Sequence, residues 1–216
     1  GDLLLCVKRH ATSKILTFTD LKSVQSLGFR GEAMSSIAAV SDLSITSKEK
    51  ESLEGNFVKV EFGFLKDNKT VGCSSGTKVE VRDLFHNTPV RRKFLDQKEG
   101  ERVLEMVMRF ALGNEGVRFK LVKDDKVLID IPKSSLLDRV VGLYGTGFVK
   151  DLVEVNHEKD GIRVFGYVSK PSLLRRDRSM QSFFVNSRLV ESSEISKGLY
   201  DAYKSLLFVN RHPVVV

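Results

Sequence analysis

Apolar residues recur along this chain first every three to four positions and then every second one, and each change of period marks an element. Asp2 to Lys8 is apolar enough for a buried edge or a helix, and it runs into the polar loop Arg9-His10-Ala11-Thr12-Ser13-Lys14. Thr19 or Asp20 can cap a short helix carrying Leu21 and Val24, ending at Gly28, a residue type that accepts left-handed dihedrals past a helix terminus. Ala33, Ile37 and Val40 space a second helix that starts near Gly31, and Asp42-Leu43-Ser44-Ile45-Thr46 then alternates as a half-buried strand does. Phe57 to Phe62 and Thr77 to Val81 alternate likewise, with Asp67-Asn68-Lys69 and Ser74-Ser75-Gly76 as turns, which predicts an antiparallel sheet. From Glu101 to Leu112, Val103, Leu104, Val107, Met108, Ala111 and Leu112 form one stripe with charges opposite, a helix expected to pack on that sheet.

Phe119 to Val122 and Val127 to Ile131 make a hairpin around Asp124-Asp125. Pro132-Lys133-Ser134-Ser135 interrupts the pattern before an amphipathic helix at Leu136 to Tyr144, so a domain boundary is expected between residues 132 and 133. Strands near Leu152 to Val155, Ile162 to Val168 and Phe183 to Val185, then a helix around Ile195 to Leu207, complete a smaller second unit over 133–216. The fold class is α+β. The chain starts at Gly1 and stops at Val214-Val215-Val216 inside what reads as a strand, so an excised piece with a truncated second domain is expected.

Composition narrows the function classes. With 216 residues, 41% of them hydrophobic, and only four prolines, the chain can bury a core and is not a disordered tail. No apolar run approaches the roughly 18–20 residues of a bilayer span, which predicts a soluble protein with no membrane partner. Cys6 and Cys73 lie far apart without CxxC spacing, so a disulfide framework or zinc site is not expected and a reducing cytosol or nucleus fits. The 35 Lys and Arg exceed the 28 Asp and Glu by seven. That surplus tilts the partner list toward polyanions but is equally compatible with an ordinary cytosolic enzyme.

Candidate chemistry is concentrated in a few stretches. Gly28-Phe29-Arg30-Gly31-Glu32-Ala33 places two glycines around a cation just before a helix, where bare N–H groups and the helix dipole can converge on a phosphate. On spacing alone it reads first as a glycine C-cap followed by a tight turn. Thr12-Ser13-Lys14 offers two hydroxyls and an ammonium to phosphate oxygens, or is simply a polar connector. Arg91-Arg92-Lys93 is ordinarily a solvated face. His10, His86, His157 and His212 have no ligand or acid at metal or triad spacing, and there is no Gly-x-Ser-x-Gly elbow, Walker pattern or Gly-x-Gly-x-x-Gly. Hence no metal site and no catalytic residue is assigned.

Taken in order, Arg9-His10-Ala11-Thr12-Ser13-Lys14-Ile15, Gly28-Phe29-Arg30-Gly31-Glu32-Ala33, Gly76-Thr77 and Leu84-Phe85-His86-Asn87-Thr88-Pro89-Val90-Arg91-Arg92-Lys93-Phe94-Leu95 resemble the N-terminal region of the MutL family of DNA mismatch-repair proteins. Phe184-Val185-Asn186-Ser187-Arg188-Leu189-Val190 is similar to the family's Val-Asn-Gly-Arg segment, so the resemblance covers nearly the whole chain. It implies a GHKL-type ATPase α/β sandwich followed by a smaller ribosomal-protein-like βαβ domain. It also implies ATP and Mg2+ as cofactors. Thr12, Ser13 and Lys14 would belong to the ATP lid, Gly28, Phe29, Arg30, Gly31, Glu32, Ala33 and Met34 would cover the triphosphate, and Thr77 would be a contact near the base.

By the same resemblance, ATP would order the lid and drive pairing of two N-terminal regions, as a homodimer or a paralogue heterodimer. Arg188, with Arg175, Arg176 and Arg178, would then face duplex or single-stranded DNA. The partners implied are a MutS-type mismatch-recognition protein and a downstream helicase or nuclease, in the cytoplasm of a prokaryote or the nucleus of a eukaryote. The family's general-base Glu, magnesium-binding Asn and Asp-Asn-Gly motif lie upstream of Gly1 and its γ-phosphate lysine downstream of Val216, so slow ATPase activity is expected of an intact parent and none of this piece. Other readings are a type II topoisomerase ATPase subunit, a heat-shock chaperone, or a DNA-binding module without ATPase activity. Ser187 stands where the family has glycine, and a positive φ there would strain the turn carrying Arg188.

Overall fold

The computed structural model describes residues 2–11, 28, 30–95 and 98–216, and it divides into two compact units, Gly1–Asp96 and Gln97–Val216. The expected helix between Thr19 and Gly28 lies outside the described residues. The division into compact units falls between residues 96 and 97, and Pro132 is tied into the second of them by the buried arginine described below.

In the first unit, helix α1 (Asp2–Cys6) and helix α2 (Ala33–Ala38) cover a sheet of strands β1 (Asp42–Lys48), β2 (Gly55–Glu61), β3 (Phe64–Val71) and β4 (Gly76–Arg82), and the short helix α3 (Pro89–Lys93) follows. The strands run antiparallel in the order β3-β2-β1-β4. Leu43, Ile45, Val58 and Val60 alternate onto one face and are buried there with Ala38, and Leu3, Leu4, Met34 and Ile37 pack against them. Each such side chain contributes roughly 1.5–3 kcal/mol by leaving water.

The expected turn at Asp67-Asn68-Lys69 is instead the middle of β3. The reversal happens at Phe62 (φ 49°) and Gly63 (φ 91°), and a polar edge strand with little buried surface carries no hydrophobic alternation to betray it. Paired positive φ values recur at Asp124 and Asp125, Asp160 and Gly161, and Asn186 and Ser187, the two-residue turn whose twist matches that of the flanking strands.

The second unit starts with helix α4 (Glu99–Gly113), then the hairpin β5 (Phe119–Lys123) and β6 (Lys126–Ile131), helix α5 (Leu136–Tyr144) and helix α6 (Thr146–Val149). A second hairpin, β7 (Leu152–Lys159) and β8 (Ile162–Ser169), leads to β9 (Leu174–Arg175), β10 (Phe183–Val185), β11 (Arg188–Val190), helix α7 (Ser193–Ala202) and β12 (His212–Pro213). The sheet of the first unit was expected to carry α4, yet its stripe meets α5, β5, β6 and β11 of its own unit. Leu112, Val140, Phe148, Val214 and Val216 form the core there. Val214 to Val216 pair with β8 on one side and with Met180 to Ser182 on the other, through Tyr167, Ser169, Met180 and Ser182 backbone bonds.

Arg139 is fully buried in α5 and donates to the carbonyls of Ala111, Glu115, Val117, Pro132 and Ser134. These belong to the end of α4, the turn after it and the connector before α5, where backbone oxygens would otherwise be buried without donors. No described helix is long and apolar enough to cross a membrane. Arg139→Met keeps most of the volume and removes the donors, so it is expected to destabilise the protein by at least about 3 kcal/mol in urea unfolding; a shift below about 1 kcal/mol would contradict the role given to this side chain.

Candidate nucleotide and nucleic-acid sites

Helix α2 is held at its C-terminus, and at its N-terminus Glu32 makes no side-chain capping hydrogen bond. Carbonyls at and just past its end find donors: the Ser41 hydroxyl donates to Ile37 O at 2.7 Å, Gly63 N–H to Ala38 O at 2.8 Å, Asn87 Nδ2 to Ala39 O at 3.0 Å, and Phe85 N–H to Val40 O at 2.7 Å. The β2–β3 turn and the Leu84-to-Leu95 stretch thus fasten one end of α2. Ser47 on β1 and Thr77 on β4 are a register pair, and their hydroxyls are 2.8 Å apart.

At that head, Gly31 has φ +65°, and a Cβ placed on it would lie 2.2 Å from Ala11 O and 2.6 Å from Ala11 C. Only a residue without a side chain lets these two backbone segments approach so closely. Beside it, His10 Nδ1 is 3.3 Å from Glu32 Oε1, and Ser35 Oγ donates back to Glu32 O at 3.0 Å. The structure therefore brings the end of the Arg9-to-Ala11 segment against Gly31 and Glu32, with Gly28, Arg30, Ala33 and Met34 on the same stretch and Met34 packed on the core. Thr12, Ser13, Lys14 and Phe29 lie outside the described residues. Thr77 sits on β4, where its described contact is with Ser47.

The pairing of His10 with Glu32 escaped the sequence reading because the two are far apart in the chain, and local spacing carries no signal for it. The same is true of Ala11, whose role is played by backbone alone.

In the second unit the arginines are dispersed. Arg188 is half-buried on β11 opposite Val185. Arg175, expected to face DNA, lies in β9 paired with His212, its guanidinium 5.5 Å from the Phe148 ring centroid and its Nε buried without a hydrogen-bond partner among the described residues. It is pulled inward by the β9–β12 pairing and by an aromatic face that attracts the cation. Arg176 is exposed, and the exposed Arg178 stands 5.2 Å from the Tyr200 ring centroid. The Ser179 hydroxyl and then its N–H hold the Asp177 carboxyl below the usual carboxylate range.

A family model described as the C-terminal domain of the DNA mismatch repair protein matches residues 140–216. The chain is 39% identical over 218 residues to the DNA mismatch repair protein MutL of Desulforamulus reducens, all of this chain and 34% of that protein, and 40% identical over 217 residues to that of Geobacter sulfurreducens, all of this chain and 36% of that protein. Among solved structures, the Aquifex aeolicus MutL ATPase domain complexed with ADP superimposes with a TM-score of 0.65 at 31% identity, over 93% of this chain and 75% of that one. The chain belongs to the MutL family of DNA mismatch-repair proteins.

A structure described as the N-terminal domain of a DNA repair protein also matches, with a TM-score of 0.76 at 28% identity over 97% of this chain and 68% of that one. The mixed α+β architecture is that of the MutL ATPase domain, as expected from the sequence. The chain spans about a third of the length of the curated MutL relatives it matches. Within this MutL chain, Ser187 has φ 63°, so the strain expected at the missing glycine is present in the turn. Ser187→Gly is expected to raise stability by up to about 1 kcal/mol, because the left-handed conformation no longer meets a Cβ; thermal unfolding unchanged or lowered by the substitution would show that the turn is relaxed as it stands.

Proposed function

We propose that this chain is the nucleotide-responsive, DNA-contacting part of a MutL-type matchmaker, in which ATP binding orders a lid, promotes pairing of two N-terminal regions and couples mismatch recognition to strand excision. The observation that carries the reading is the packing of Gly31 on Ala11, which sets the backbone entering Thr12-Ser13-Lys14 against the head of α2. The hydroxyls and lysine of the sequence that follows Ala11, together with the glycines, Arg30 and helix start of the other stretch, suit a triphosphate. The ADP complex of the Aquifex aeolicus relative supports the same ligand class. Thr77, next to Gly76 on β4, is the second-line contact.

Bound ATP would supply the negative charge that draws the lid cations inward. Mg2+ would accompany the phosphates; among the described residues there is no cluster of three His, Cys, Asp or Glu side chains, and no ligand for it is assigned here. Slow hydrolysis belongs to the intact protein. In functional terms residues 1–132 serve the nucleotide and 133–216 the DNA, with Arg188, Arg176 and Arg178 facing phosphates. The inward position of Arg175 suits a supporting role behind them. A MutS-type protein and a helicase or nuclease are the proposed partners, a homodimer or paralogue heterodimer the proposed assembly, and the cytoplasm the proposed location, in keeping with the bacterial relatives. The identity to MutL proteins favours this reading over a topoisomerase subunit or a chaperone.

In calorimetric titration of the intact protein with adenylyl imidodiphosphate, Gly31→Ala is expected to weaken binding at least about tenfold, since the left-handed penalty alone is roughly 1–2 kcal/mol. Undiminished affinity in a folded variant would contradict the cradle. For DNA, Arg188→Ala is expected to weaken binding and to lower the slope of log affinity against log salt by about 1; an unchanged slope would remove Arg188 from the phosphate contacts.

A further inference from the structure

The β7–β8 hairpin of the second unit pairs without a bulge from Leu152 opposite Ser169 to Lys159 opposite Ile162. Val214 to Val216 join β8 only over Tyr167 to Ser169, and β7 has no second pairing partner among the described residues. From Asn156 to Phe165 the hairpin is therefore a bare two-stranded ribbon, a form that is marginal in water until further strands or a cover support it. Leu152 packs on the core of its unit, so by alternation Val153, Val155 and His157 lie on the opposite face, across from Val168, Gly166 and Val164. On that face Val153 is 45% exposed, Val164 56% and Ile162 69%.

An exposed strand edge templates further pairing unless lysines, prolines or bulges blunt it. The edge strand β3 of the first unit is blunted in this way, with Lys66 and Lys69 along it and a register shift where it pairs with β2 at Lys59 and Val60. Strand β7 has no proline and no register shift, and its one lysine is its last residue.

The sequence of β7 is also complementary to itself. When a second copy lies antiparallel along the outer edge with Val155 on the two-fold axis, Glu154 faces Asn156 of the second copy, Val153 faces His157, and Leu152 faces Glu158. One residue past the strand, Asp151 meets Lys159. Turning on Glu154 instead sets that carboxylate against itself, and turning on Asn156 sets Glu154 against Glu158, like-charge pairs that destabilise a ladder. An axis between two residues joins the valine face of one copy to the polar face of the other, because side chains alternate with a period of two.

We propose that β7 is an interaction edge for a second copy of this chain, the two hairpins joining antiparallel about Val155 into one four-stranded sheet. The pairing needs no nucleotide and uses a surface apart from the residues assigned to the nucleotide, so it stands or falls separately from the switch proposed above. Two strands make a contact at the small end of specific interfaces, and the association is correspondingly weak.

The test is sedimentation equilibrium of the full chain without nucleotide. A concentration-dependent dimer is expected. Lys159→Asp, an exposed change that sets carboxylate against carboxylate twice in the dimer, is expected to weaken it at least about threefold, with circular dichroism reporting an intact fold. Val155→Cys places a thiol opposite its own copy, with Cβ atoms roughly 4.5–5.5 Å apart. Oxidation by copper phenanthroline is expected to link the two peptides that carry residue 155, read by mass spectrometry, faster than it links Val153→Cys, whose thiol faces His157 of the second copy. A chain that stays monomeric at its highest soluble concentration overturns the proposal and leaves the nucleotide-driven switch standing. So does a dimer that Lys159→Asp does not weaken, or one that forms only on adding adenylyl imidodiphosphate. Equal cross-linking of Val155→Cys and Val153→Cys overturns the pairing about Val155.

Discussion

The closest constraint on function in this molecule is the approach of two backbones, at Gly31 and Ala11. A single methylene at residue 31 would sit inside the Ala11 carbonyl, so the identity of one residue decides whether the segment ending at Ala11 can lie against the head of α2. Everything proposed for the nucleotide follows from that contact: the hydroxyls and lysine after Ala11 and the glycines and cation before Ala33 form one site only if the two stretches are held together. The contact of the His10 ring with the Glu32 carboxylate at the same place is exposed on both sides and adds little stability of its own; steric permission, more than attraction, sets the geometry.

That contact needs a fixed platform, and α2 is too short to provide one unaided. A helix of six residues has more unsatisfied terminal groups than internal bonds. Donors from three separate places, Ser41, the Phe62-Gly63 turn and the Phe85-to-Asn87 stretch, take up its last carbonyls while Met34, Ile37 and Ala38 press on the sheet. The second unit solves a similar problem with a charge in place of a cap. Arg139 gathers five carbonyls from the end of α4 to the start of α5, and so joins the long amphipathic helix and the β5–β6 hairpin to the part of the chain that carries the arginines.

What could be read in advance followed the strength of the local signal. The alternation of β1, β2 and β4, the hairpin at Asp124-Asp125, the helix α5 and the strain at Ser187 were legible because periodicity and turn chemistry are local. The edge strand β3 was not, since its side chains are mostly polar and exposed and Asp67-Asn68-Lys69 mimics a turn. The tie of Pro132 to the second unit is non-local in the same way. Pro132 looks like a linker, but its carbonyl is a partner of Arg139, and a buried cation seven residues along gives no sign of that in the sequence. The motif around Leu84 to Leu95 was recognisable as a pattern, yet its service to α2 through Phe85 and Asn87 depends on contacts across more than forty residues.

Hydrogen–deuterium exchange on the intact protein, with and without a nonhydrolysable ATP analogue, reads the Gly31–Ala11 junction most directly. Added nucleotide should slow exchange together in the peptides spanning residues 9–14 and 28–37, while β3 and the β7–β8 hairpin stay unchanged. Nucleotide binding that leaves both of those peptides exchanging at their original rates would place the ligand elsewhere and remove the basis of the proposed switch.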